Sequence, residues 1–226
     1  MPTILITGAG RGLGFEFAKQ YAADGWTVIA TVRKPEAGRA LAELGRNVEI
    51  NLLDVTDRPG IAKLARSLDG RAIDVLLCNS GMIGSREATV AEADYAVWHQ
   101  TMEVNLMAPV AMAQAFLPHV AASGQKLMVF VTSRMGSIAQ TTGGSMIYRT
   151  SKAALNMAAK NLSIAFADKQ VAVIVVHPGW VKTDMGGPGA AITPEVSIAG
   201  LRKVIAKATL ADSGHFYNYD GIEFPW

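Results

Sequence analysis

The chain has 226 residues, half of them hydrophobic and only 18% charged, with a formal net charge of +2. That is enough apolar chain to bury a core in one domain, and without a basic run the balance argues against nucleic acid as a partner. The lone cysteine, Cys78, excludes an intramolecular disulfide and suits a reducing cytoplasm, and no apolar stretch approaches the ~18 residues that span a bilayer.

The first element is a short β-branched and apolar strand, Thr3–Thr7, too near the N-terminus to leave room for a signal peptide. It runs into "TGAGRGLGFEFAKQYAADG", where Gly8, Gly12 and Gly14 stand at a strand-to-helix junction and the helix Leu13–Ala23 follows. A helix N-terminus presents unpaired N–H groups and the positive end of its dipole. A diphosphate can approach them only where no Cβ intervenes, which glycine allows. The spacing is G-x-x-x-G-x-G, not the G-x-G-x-x-G of the long-chain dinucleotide fingerprint. Such a turn can be a tight bend alone; the strand before it and the helix after it favour nucleotide binding.

Further strands follow at Thr27–Val32, Val48–Leu53, Val75–Cys78, Lys126–Thr132 and Val171–Val176. Helix-length segments alternate with them at Ala37–Leu44, Arg58–Ser67, Ala93–Ala122, Met146–Ala167 and Pro194–Ala208. This alternation predicts one doubly wound α/β domain over residues 1–226, a parallel sheet with helices on both faces. Continuously apolar strands such as "VIVV" and "VLLC" fit burial on both sides.

Ligands in such sheets sit at the carboxyl ends of the strands. Those ends read "TVRKP", "LDVTD", "CNSG", "TSRMGS" and "HPGWVKTDMGG", so polar residues and glycines gather where a site belongs. In "YRTSKAALNMAAKNL", Tyr148 and Lys152 lie four apart at a helix start and face the same way. A free phenol titrates near pH ~10, and a nearby ammonium favours its phenolate, making it a usable acid and base. A solvated helix face would show the same pair. Ser133, ending the preceding strand, weights the reading toward chemistry because it can reach the same reacting oxygen.

The motifs "TGAGRGLG", "DVTD", "NSG", "VNLMAPV", "SRMGS", "YRTSK" and "HPGWVKTDM" occur in order on these elements. In this the sequence resembles the short-chain dehydrogenase/reductase family over essentially its full length. "HPGWVKTDMGG" and the tail "FYNYDGIEFPW" are similar to those of C-factor-like and sniffer-like carbonyl reductases. Two departures stand out: Asn79-Ser80-Gly81 replaces the usual N-A-G, and "AQTTGGS" lengthens the interval from Ser133 to Tyr148 as a loop. The resemblance implies a Rossmann-like fold and hydride transfer between a nicotinamide and a small-molecule carbonyl or alcohol. It makes Tyr148 the proton donor and acceptor, Lys152 the group that lowers its pKa and bonds the nicotinamide ribose, and Ser133 the holder of the substrate oxygen. Asn105 acts through its main chain, keeping a water in a relay from Lys152, on top of a structural role as a kink or cap. Gly8, Gly12, Leu13, Gly14, Asn79 and Gly81 fall among the cofactor contacts. Pro178, Gly179, Val181 and Thr183 line the nicotinamide.

Sites of this kind that take NAD end the second strand with a carboxylate for the ribose 2′-hydroxyl. Here Val32 holds that place, Arg33 follows it, and Arg11 reaches from the glycine turn. Two guanidinium groups and no carboxylate describe a 2′-phosphate site, so NADP(H) is the expected cofactor. Asp54 and Val55 then frame the adenine. Cys78 and His177 read as packed strand-end residues, and His99 and His119 have no metal-ligand spacing around them. The Gly186–Pro194 segment reads as a lid over the substrate or a plain connector.

Two functions stay open: an NADPH-dependent carbonyl reductase or alcohol dehydrogenase, and a cofactor-binding signalling protein of the C-factor type with incidental activity. The alanine-rich faces of Ala93–Ala122 and Met146–Ala167, with the contacts of relatives, imply a homodimer or a homotetramer built from dimers.

Overall fold

A computed structural model describes residues 1–85, 91 and 93–226. Strand β1 (Thr3–Ile6) pairs in parallel with β2 (Thr27–Val32) on one side and β4 (Val75–Cys78) on the other. β3 (Val48–Leu52), β5 (Leu127–Val131), β6 (Ala172–His177) and β7 (Phe216–Asn218) complete a parallel sheet in the order β3-β2-β1-β4-β5-β6-β7. The chain reverses direction across the sheet between β1 and β4, which opens a crevice at their carboxyl ends.

Successive residues of the central strands divide between two cores. Leu5, Leu76, Phe130 and Val173 point to the face covered by α3 (Arg58–Ser67), α5 (Ala108–Ala121) and α6 (Met146–Ala165). Ile4, Ile6, Leu77 and Ile174 meet α1 (Gly12–Ala23) and α7 (Pro194–Lys207) on the other. Both faces are apolar because both are covered, so no polar alternation marks the central strands, whereas the edge strand β3 (VEINL) alternates and is not buried.

Two predicted elements change and one strand is added. The helix expected over Ala37–Leu44 is a 3₁₀ turn at Pro35–Gly38 followed by the short α2 (Arg39–Ala42). Pro35 sets that entry, and Gly38 packs so closely on Ile50 that a Cβ there would lie 3.0 Å from Ile50 Cγ2. The long helix begins at α4 (Tyr95–Met102), capped by Asp94, whose Oδ1 accepts from the Ala96 and Val97 N–H groups at 2.8 and 3.2 Å. It continues through a π turn at Glu103–Met107 into α5. Contrary to the sequence reading, the run Tyr95–Ala121 is long and apolar enough to cross a membrane by length and composition. That reading weighed unbroken apolar runs, and here polar residues interrupt the run. Met112, Phe116 and Val120 are buried against the sheet, the position of a core helix.

The added strand is the seventh. The tail pairs with β6 through Val175↔Phe216 and Val176↔Tyr217, then doubles back so that the Phe224 N–H donates to the Phe216 carbonyl at 2.7 Å. Phe216 is fully buried, with Phe224 edge-on at 5.4 Å and Trp226 stacked at 5.7 Å. The last residues reach the segment after β5: Ser137 Oγ donates to the Pro225 carbonyl and the Ala139 N–H to that of Trp226.

Candidate active site

The glycine turn closes on itself and on its neighbours. Gly8 has φ +68° and Gly12 φ +55°, the left-handed region that glycine adopts without strain. A Cβ on Gly14 would lie inside van der Waals contact with the Gly8 carbonyl oxygen and 2.7 Å from Asn79 Nδ2, so α1 can start against β1 only with glycine there. Leu13 packs on the α1-side core. Thr7 Oγ1 accepts from the Asn79 and Ser80 N–H groups at 2.9 and 3.0 Å, and Asn79 Nδ2 donates to the Thr7 and Gly8 carbonyls. The Asn79 side chain therefore holds the turn in shape.

Across the crevice, Ser133 stands two residues past the end of β5, capping a 3₁₀ turn, and its Oγ accepts from the Met135 N–H at 3.1 Å. Tyr148 and Lys152 are buried on the first turns of α6, with the Lys152 Nζ 5.8 Å from the Tyr148 ring centroid. Nζ donates to the Val131 carbonyl at 3.0 Å, and burial pushes the Lys152 pKa down from 10.5 to about 8. Gly81 lies beside it: a Cβ there would meet Nζ at an ordinary contact distance of 3.6 Å. Asn105, fully buried in the π turn, accepts from the Met82 N–H through Oδ1 and donates through Nδ2 to the Met82 carbonyl and to Ser151 Oγ. Its side chain is thus fully engaged in holding Met82 and Ser151.

The third wall follows β6. Gly179 has φ +84°, Pro178 accepts from Ser197 Oγ at 2.6 Å, and Val181 is buried and bridges to Ile192. Thr183 Oγ1 accepts from the Gly186 N–H at 3.1 Å, and Trp180 Nε1 donates to the Gly186 carbonyl at 2.9 Å. The Lys182 N–H donates to the Ile192 carbonyl, so the Gly186–Pro194 segment is stapled at both ends. His177 ends β6 5.8 Å from the Phe224 ring, and burial, with a smaller push from Arg134, holds its pKa down at about 4. It is a packed neutral imidazole at pH 7. Cys78 likewise is buried, and desolvation pushes its thiol pKa well up.

At the far end of the crevice Val32 is buried and Arg33 exposed. Asp54 Oδ1 accepts from the Thr56 N–H and hydroxyl at 2.9 and 2.8 Å, bonds that hold its carboxyl below the usual range, with Arg33 adding a smaller effect of the same sign. The Val55 side chain belongs to the core, which leaves its backbone for the crevice. Arg11 faces the opposite wall, its Nη1 donating to Asp184 Oδ2 at 2.7 Å. A separate concavity of about 800 Å³ lies between α7 and the C-terminal segment, and none of these residues lines it.

The model of the short chain dehydrogenase family matches residues 2–191. The chain belongs to that family. C-signal from Myxococcus xanthus is 40% identical over 155 residues, 68% of this chain and 93% of that protein. Two solved structures superpose over the whole chain at 31% identity. They are the carbonyl reductase Sniffer of D. melanogaster, at a TM-score of 0.93 with all of it covered, and an NADPH-bound carbonyl reductase from chicken fatty liver, at 0.92 with 99% covered.

Within this short-chain dehydrogenase, two features escaped the sequence reading. Asp184 stands in the motif after β6, 173 positions from the arginine it pairs with, so only the fold brings the two together. The π turn left a local signal. Four residues after Asn105 stands Pro109, which has no N–H, so the α-helical donor to the Asn105 carbonyl does not exist. A π turn at such a place often marks a functional site.

The buried Lys152 yields a test on the cofactor-free protein. Its folded pKa lies below its unfolded value, so its charge opposes folding at neutral pH and the penalty fades as pH rises from about 8 to 10.5. Differential scanning calorimetry of wild type and Lys152→Met should show the melting temperature of wild type gaining on that of the variant across this window. A difference constant with pH would mean that the ammonium is not desolvated.

Proposed function

We propose that the chain is an NADP(H)-dependent carbonyl reductase, equally able to oxidise the corresponding alcohol, acting by acid/base chemistry at Tyr148. The observation that carries this is the desolvated Lys152 ammonium beside Tyr148, with Ser133 just past the end of the adjoining strand. The likeness to carbonyl reductases, one of them NADPH-bound, supports the same reading.

The residues fit a dinucleotide. The glycine turn offers a cradle that Cβ atoms would fill, at the start of a helix. Gly8, Gly12, Leu13 and Gly14 would hold the diphosphate, Arg33 and Arg11 the 2′-phosphate, and Asp54 and Val55 the adenine. Asn79, Gly81, Pro178, Gly179, Val181 and Thr183 would line the nicotinamide end. Bound there, the nicotinamide supplies the hydride. Tyr148 gives its proton to the substrate's carbonyl oxygen, or takes one from the alcohol. The Lys152 charge favours the tyrosinate and bonds the nicotinamide ribose, and Ser133 donates to the oxygen as negative charge develops there. The Asn105 carbonyl, released from its α-helical donor by Pro109, holds the water through which Lys152 recovers protons. The lone buried cysteine fits a cytoplasmic setting.

The likeness to C-signal favours a second reading, a signalling protein in which turnover is incidental. The retained Ser133, Tyr148 and Lys152 favour chemistry. NADPH consumption over a panel of aldehydes, ketones, diketones and quinones separates the two. Tyr148→Phe should lower turnover of any substrate found there by at least about a hundredfold, while NADPH binding by fluorescence titration stays near wild type. Near-full reductase activity in that variant would remove Tyr148 as the acid.

We also propose a symmetric dimer through α4, α5 and α6. Tyr95 on α4 and Met157 and Ile164 on α6 are 74, 64 and 69% exposed, apolar surface that a partner would cover. Light scattering should give a dimer, or a tetramer of such dimers, and a monomer at every concentration would contradict it.

A further inference from the structure

Arg11 stands where its side chain can serve either wall of the cleft. The residue before it, Gly10, faces the β2 end: a Cβ there would lie 2.9 Å from Ala37 Cβ and 3.3 Å from Val32 Cγ1. The residue after it, Gly12, faces the segment beyond β6, its Cβ position lying 3.7 Å from Thr183 Cγ2. Arg11 itself is the extended N-cap between them, with φ −161° and ψ 171°. Its guanidinium takes the second wall, bonding Asp184 at 2.7 Å in a pair whose side chains are 76 and 80% exposed. So exposed a pair is weak and easily exchanged.

The two partners differ in freedom. The backbone carrying Asp184 is pinned within a closed turn, since Thr183 Oγ1 accepts from the Gly186 N–H and the Thr183 carbonyl from the Gly187 N–H at 2.8 Å. Trp180 Nε1 ties the same turn from outside. Arg11 is the long, exposed member that can swing. The other arginine of the proposed 2′-phosphate site also has a carboxylate nearby, Asp54, which two bonds from Thr56 already hold. Asp184 differs in that its bond is made to the arginine itself.

We propose that Asp184 is a specificity-determining residue, whose carboxylate competes with the 2′-phosphate of the cofactor for Arg11 and so moderates the preference for NADPH over NADH. This rests on the reading of Arg11 as part of the 2′-phosphate site. A carboxylate and a phosphate ester offer the guanidinium the same two-oxygen geometry, so one can replace the other without rebuilding the turn. NADH has no 2′-phosphate and leaves the Arg11–Asp184 pair in place.

The test is titration of wild type, Asp184→Asn, Arg11→Ala and the double variant with NADPH and with NADH, at one modest salt concentration because such contacts screen readily. Asp184→Asn should tighten NADPH by about two- to fivefold, the scale on which an exposed pair shifts a competing equilibrium, and leave NADH unchanged. The gain should vanish when Arg11 is alanine. Equal tightening of both dinucleotides would make Asp184 a general repeller of the diphosphate and overturn the proposal, as would a gain that persists without Arg11. If Arg11→Ala weakens NADPH but Asp184→Asn changes nothing, the competition alone falls. If Arg11→Ala binds NADPH as wild type does, the 2′-phosphate reading of Arg11 falls and the competition with it.

Discussion

An ammonium group held inside the protein is the constraint around which the site is built. Lys152 Nζ lies at the carboxyl end of β5, bonded to the Val131 carbonyl and shut away from solvent. A cation so placed has lost its hydration, and burial alone moves its pKa toward neutrality. The neighbours make room for it. A Cβ at Gly136 would come within 2.9 Å of Lys152 Cβ, so α6 can carry the lysine past this turn only with glycine there. The cost is one that a structural protein has no reason to carry. It becomes intelligible where a phenol nearby must change protonation at ordinary pH.

The fold delivers the other parts to this charge with few free torsions. Ser133 comes from the turn just past β5, Tyr148 from the helix that follows, and the glycine turn from the end of β1. A single hydroxyl, Thr7 Oγ1, joins the ends of β1 and β4 by accepting from Asn79 and Ser80, which fixes the crevice between neighbouring strands. Rigid strand ends supply position, and the turn after β6 closes the remaining side.

Much of this was legible in the sequence, and for physical reasons. The strands beside the switch point are short, continuously apolar runs, because helices cover both faces. "TGAGRGLG" and "YRTSK" place their chemistry by local spacing, which a linear reading can see. What stayed hidden depended on partners distant in the chain. The seventh strand, Phe216–Asn218, has only three residues, and what makes it a strand is pairing with β6 and burial of Phe216 beneath Phe224 and Trp226. Asn79 reads as a ligand residue, yet its amide is bonded to the backbone of the glycine turn. Arg11 meets a carboxylate 173 positions away, a contact no window of sequence contains. The π turn lay between these extremes: Pro109 announced a missing donor, but only the geometry shows the helix continuing through it.

The central claim is that the buried Lys152 charge and the tyrosine it serves form one proton-transfer unit. The pH dependence of kcat/KM for carbonyl reduction tests this most directly, because that ratio reports groups of the free enzyme. The account predicts a rate that holds through neutrality and falls as pH rises through about 8, where the Lys152 ammonium loses its proton and the acid loses its supply. A profile level from pH 7 to beyond 10 would contradict it.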